Sequence, residues 1–134
     1  MGDIIIRFLT AGVIFGIIDA LWLVLVANKF YKDQLGSLLR NKPNMIAAIL
    51  FYLIYLIGLL VFVINPAITA DEWMLALGLG ALFGFVAYST YDLTNLSTLK
   101  GFTVKLVIVD LAWGTAVTAV VSTLTYFIVT GLFN

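Results

Sequence analysis

The chain contains no cysteine and no histidine. Their absence removes disulfides, thiolate chemistry, Cys/His zinc sites and histidine acid–base catalysis together. It leaves the redox compartment open. Charge is also scarce: only 10% of the 134 residues are Asp, Glu, Lys or Arg, and seven bases balance seven acids. With no basic excess there is no face for a phosphate backbone, and nucleic-acid binding is not expected. Proline occurs only twice, so long stretches are free to be helical.

What fills the chain instead is hydrocarbon. Hydrophobic residues make up 63% of it and the mean hydropathy is +1.16, against roughly 45–50% apolar residues in a soluble domain. So small a globule cannot hide that much apolar surface from water. The composition predicts an all-α integral membrane protein, a four-helix bundle with short loops, and the lipid bilayer is its first partner.

The apolar runs predict spans over residues 4–27, 44–63, 73–95 and 102–127, together one transmembrane domain over 1–134. Each is long enough to cross a hydrocarbon core of about 30 Å. The first run exceeds a signal-peptide core of about 7–15 residues and contains Asp19, so it reads as a retained helix. Residues 28–43 are the most polar part, with Leu35, Leu38 and Leu39 spaced for a short helix on the bilayer surface. Asn65-Pro66 is expected to stop the second helix, and Gly101 to break the chain before the fourth. Gly78, Gly80 and Gly84 give helix 3 a small-residue face suited to close packing, here read as a homodimer face.

Lys29, Lys32, Arg40 and Lys42 lie in the first connection and Lys100 in the third, while the second has only Asp71 and Glu72. Positive loops mark the cytoplasmic side. Loops 28–43 and 96–101 are therefore expected in the cytoplasm, with both termini opposite. In that topology Asp19 and Asp110 each lie roughly 12 Å inside from the cytoplasmic face. Asp92 enters nearby on helix 3.

Polar groups at such depth are costly and point to function. Asp19-Ala-Leu-Trp22 and Asp110-Leu-Ala-Trp113 each put a carboxylate and an indole on one helix face. Tyr88, Tyr91, Asp92 and Asn95 form a polar stripe on helix 3. Tyr52 and Tyr55 on helix 2 carry hydroxyls that need partners if buried. Thr115, Thr118, Ser122 and Thr125 read as residues that bond back to their own helix.

The bland alternatives are structural. Asp92 and Asn95 would cap helix 3 at the interface beside Lys100, Asp19 would be neutralised by Arg7 or Lys105, and the tryptophans would anchor at the interface. Lys105 is expected to pair with Asp92 or Asp19 across helices rather than with Asp110 five residues on. The functional reading is a cytoplasm-facing pocket of Asp19, Trp22, Tyr88, Tyr91, Asp92, Asn95, Lys105, Asp110 and Trp113. A buried carboxylate disfavours its charged form, and two close together titrate as a pair. Such a pocket could exchange protons, bind a cation or amine, or act on a lipid headgroup.

The strings Asp19-Ala-Leu-Trp22, Phe51-Tyr52, the block from Gly84 through Tyr91-Asp-Leu-Thr-Asn95 to Lys100, and Val109-Asp-Leu-Ala-Trp-Gly-Thr115 occur in this order. On these blocks the chain resembles a family of small four-helix bacterial inner-membrane proteins catalogued as a domain of unknown function. The resemblance implies a four-span protein of the bacterial inner membrane and supplies no catalytic residue.

Three functions follow as expectations. The first is binding or translocation of a small cationic or lipidic ligand with proton coupling. The second is a lipid-modifying enzyme using Asp acid/base chemistry, or Asp92, Asn95 and Asp110 around a hard cation such as Mg²⁺. The third is an accessory subunit. No metal-ligand spacing is diagnostic, and the sequence names no cofactor.

Overall fold

A computed structural model describes residues 2–133. Helix accounts for 89% of the chain and no strand occurs among the described residues, as an all-α membrane bundle requires. Among the described residues four helices are long and apolar enough to cross a bilayer: α1 (Gly2–Leu38), α2 (Met45–Ala70), α3 (Trp73–Thr98) and α4 (Val104–Leu132). Within a bilayer the backbone must satisfy itself, and continuous helices do so.

Two helices run further than the sequence suggests, for one reason. The chain at Leu23–Ala27 is a wide π turn, closed by Asn28 N–H on Leu23 O, after which the α-helix resumes at Asn28–Leu35. The expected break and separate surface helix are thus replaced by an extension of α1. In α2 a second π turn, Leu60–Ile64, ends with Asn65 N–H on Leu60 O. Pro66 lacks an N–H and its ring crowds the preceding turn. The wide turn just before it lets the helix pass to Ala70 instead of stopping near Val63.

Side-chain caps start α2 and α4. Asn44 accepts from Ala47 N–H at 3.2 Å, and Thr103 accepts from Leu106 N–H at 3.1 Å. The Thr103 hydroxyl also bonds Gln34 at 2.5 Å, tying the start of α4 to the end of α1. Gly101, with φ at +84°, makes the turn between α3 and α4.

The core joins three helices. Phe15 of α1, Tyr55, Leu59, Val63 and Ile64 of α2, and Val117 and Val121 of α4 are buried together. Tyr31 of α1 meets Asp110, while Ala11 and Phe15 share the core with Val117 and Val121. Residue numbers therefore rise in opposite directions, and α1 and α4 are antiparallel.

α3 lies close against α4, glycine on one helix facing backbone or a side chain of the other. A methyl on Gly80 would run into Ser122, and one on Gly84 into the Gly114 carbonyl and Thr118. Small residues let membrane helices approach this closely. The glycine face expected to form a homodimer is therefore used within the chain at Gly80 and Gly84. Only Gly78 has open space around it. Apolar residues such as Val24, Leu25, Ile46 and Ile54 project outward, where hydrocarbon surrounds them.

Candidate functional site

The two Asp-x-x-Trp strings meet. Trp22 and Trp113 stack with ring centroids 4.2 Å apart and planes 7° from parallel. Because α1 and α4 are antiparallel, the residue three before each tryptophan lies on opposite sides of that stack. Asp19 sits deeper and Asp110 nearer the loops, roughly 9 Å apart along the axis. The three carboxylates expected in one pocket are therefore divided: Asp92 and Asp110 share one chamber, and Asp19 occupies another.

The Asp19 side is compact. Its carboxylate is 8% exposed and accepts a hydrogen bond from the Tyr52 hydroxyl at 2.7 Å. Gly12 and Gly16 leave a cavity of about 260 Å³ beside it. Neither Arg7 nor Lys105 serves as its counter-charge. Arg7 instead donates to Asn65 Oδ1 at 2.7 Å near the start of α1, and Lys105 is exposed.

The Asp110 side is built by Tyr31, which lies beyond the expected end of the first span. Tyr31 donates to Asp110 Oδ1 at 2.5 Å, and Trp22 Nε1 reaches the same hydroxyl at 3.4 Å. On a straight α-helix, Trp22 and Tyr31 would stand about 180° apart, nine residues at about 100° each. The extra residue of the π turn removes about 100° of that rotation and brings Tyr31 toward the Trp22 face. Pro66 hints at the π turn in α2, but no residue type flags the one in α1.

Asp92 is the unusual group. It is 0% exposed; among the described residues no donor reaches either carboxylate oxygen, and its polar neighbour is the Asp110 carboxyl, close enough to share a proton. It neither caps α3 nor pairs with Lys105, since the last turn closes through Leu99 N–H on Asn95 O. Asn95 is half-buried one turn further on. Phe102, Leu106 and Val107 form the apolar cluster around this end of the bundle. Asp92 lines a chamber of about 60 Å³ together with Tyr31, Tyr91, Phe102 and Asp110. An unpaired carboxylate buried there is stable only as the neutral acid or opposite a cation.

Beside the chamber lies a larger recess of about 330 Å³, lined by Phe51, Ala87, Tyr88, Tyr91 and Asp110. The two cavities share Tyr91 and Asp110. Phe51 and Tyr91 are 47% and 58% exposed, so the recess opens sideways from the bundle. Its inner wall is set by Gly114: the Tyr88 ring occupies the space that a side chain there would fill. The model of the family described as "Predicted membrane protein (DUF2177)" matches residues 4–127. The chain belongs to that family. No curated protein and no solved structure matches it.

In this DUF2177 chain the sequence-selected residues thus fall into three groups. Tyr88, Tyr91, Asp92 and Asp110 line the paired cavities, while the Trp22–Trp113 stack lines neither and reaches them only through the Trp22 bond to Tyr31. Asp19 stands apart with Tyr52. Asn95 and Lys105 line neither cavity. Tyr31 joins the first group, and its hydrogen bond fixes the Asp110 carboxylate. The oxygen set considered for a divalent ion is reduced to two carboxylates, and no group of three or more acidic side chains gathers among the described residues.

Three of the four expected α4 hydroxyls bond back to their own helix, Thr115 to Leu111 O at 2.8 Å among them, whereas Thr125, wholly buried, has no hydrogen-bond partner among the described residues. Thr118 bonds back to Gly114 O and Ser122 to Thr118 O, each at 2.7 Å. Thr118 also meets the Tyr55 hydroxyl at 2.5 Å.

Proposed function

We propose that this multi-pass membrane protein binds a small cationic amphiphile and exchanges it against a proton. The observation that carries the reading is Asp92, wholly buried, with no donor on either oxygen and the Asp110 carboxyl beside it in the same chamber. A chamber of about 60 Å³ suits a compact charged group such as a primary ammonium. The adjoining apolar recess suits the hydrocarbon attached to it. A soluble polar ligand would gain little from that recess.

Two neighbouring carboxylates cannot both be ionised cheaply without a cation between them. In the empty chamber one carboxyl holds a proton. Arrival of the ammonium group releases that proton to the adjacent aqueous side, and reprotonation expels the ligand. Tyr31 orients Asp110 through its hydrogen bond, and Trp22, stacked on Trp113, braces Tyr31 from behind. The concentration of Lys and Arg in the first and third connections supports a cytoplasmic position for the chamber, with both termini opposite. The bacterial inner membrane is the setting this reading assumes.

Native mass spectrometry with lipidomics on gently solubilised protein tests it, comparing wild type with Asp92→Asn and Asp110→Asn. One amine-bearing amphiphile retained by wild type and lost by both variants supports the assignment. The same unselected lipids on all three would overturn it.

A further inference from the structure

A second groove lies where α1 leaves the membrane. We infer that it binds the headgroup of an anionic glycerophospholipid. The groove measures about 470 Å³ and runs between the end of α1 and the returning segment 39–43. Leu23 and Val24 line one end and are exposed on the lipid-facing surface, at 45% and 76%. Asn28, Lys32 and Arg40 line it further along, with Tyr31 as the wall between. From Leu23 to Lys32 the helix rises roughly 13 Å, the distance from upper acyl chain to phosphate.

The sequence of surfaces matches such a lipid in order. Hydrocarbon packs on Leu23 and Val24, and the Asn28 amide lies at ester depth. Lys32 and Arg40 hold the phosphate as two cations from opposite walls. No Asp or Glu lines the groove. Positive loops of membrane proteins attract anionic leaflets in general, but here the two cations border a shaped recess with an apolar floor. Lys29 and Lys42 carry the same charge outside it. The inference does not depend on the carboxylate chamber, although Tyr31 walls both.

The test uses full-length protein in nanodiscs of phosphatidylglycerol and phosphatidylcholine in equal parts, then native mass spectrometry after detergent extraction. Wild type should retain one phosphatidylglycerol. Lys32→Gln with Arg40→Gln should lower that retention about thirtyfold, the effect of two headgroup contacts. Lys29→Gln with Lys42→Gln, removing equal charge outside the groove, should leave that retention nearly unchanged, because neither side chain borders the recess. Equal losses from both double variants would reduce the effect to general surface charge and overturn the site. Displacement of the lipid by millimolar inorganic phosphate would assign the cations to a soluble anion and overturn it equally. Thermal melting of both double variants should match wild type, because all four side chains project from α1 or the following loop.

Discussion

Tyr31 and Asp110 are 79 residues apart in sequence and 2.5 Å apart in space. Tyr31 lies beyond the predicted end of the first span, and Asp110 lies in the first half of the fourth helix. Their bond ties the extension of α1 to the carboxylate chamber. Tyr31→Phe keeps the ring against Phe102 and Leu106 and removes only the donor. It should cost about 1–2 kcal/mol, measured by equilibrium unfolding in mixed micelles. Tryptophan emission should shift as well, since Trp22 loses the hydroxyl it reaches. Unchanged stability and emission would mean that the bond contributes nothing.

The glycines of α3 predict opposite outcomes at neighbouring positions. Gly84→Ala drives a methyl into the Gly114 carbonyl and Thr118, whereas Gly78→Ala enters open space. The first should destabilise by about 1–3 kcal/mol through overpacking. The second should be neutral or slightly stabilising, because alanine is the better helix former. Thermal unfolding of the two variants side by side decides it. Equal effects would contradict the close α3–α4 approach.

These contrasts show which features the sequence made legible. Four apolar runs, each near the length of a bilayer crossing, sufficed for the helices. The shared i, i+3 spacing of Asp19/Trp22 and Asp110/Trp113 sufficed to put each pair on one face. It did not reveal that antiparallel packing would stack the tryptophans and thereby part the two carboxylates. That depends on the order in which helices neighbour one another. Tyr31 was hidden for a local reason, since its face is set by a π turn inside an ordinary Leu/Val run. Gly80 and Gly84 were correctly seen as a packing face, but an intrachain and an intersubunit face look alike in sequence.

Arg7 and Asn65 form the polar contact near the start of α1, at 2.7 Å and part-buried. The π turn and Pro66 place Asn65 there. Asn65→Leu leaves the guanidinium without its acceptor and should destabilise by about 1–3 kcal/mol. Adding Arg7→Met removes the stranded charge, and the double variant should recover most of that loss. A double variant as unstable as the single one would show that Asn65 acts through helix geometry alone.

The absence of cysteine makes orientation directly measurable, because any introduced thiol is the sole reporter. Ser37, Glu72 and Lys100 are exposed, one in each connection or beside it. The excess of Lys and Arg in the first and third connections predicts that both face the cytoplasm. In intact cells a membrane-impermeant maleimide should label Glu72→Cys at once. It should label Ser37→Cys and Lys100→Cys only after permeabilisation. The chamber lies toward the same end of the bundle as those two positions, so the labelling pattern also fixes which compartment exchanges protons with Asp92 and Asp110. The reverse pattern would move the chamber to the outer face. The proposed ligand would then be captured from the outer leaflet, and the anionic groove beside Tyr31 would meet outer-leaflet lipid instead.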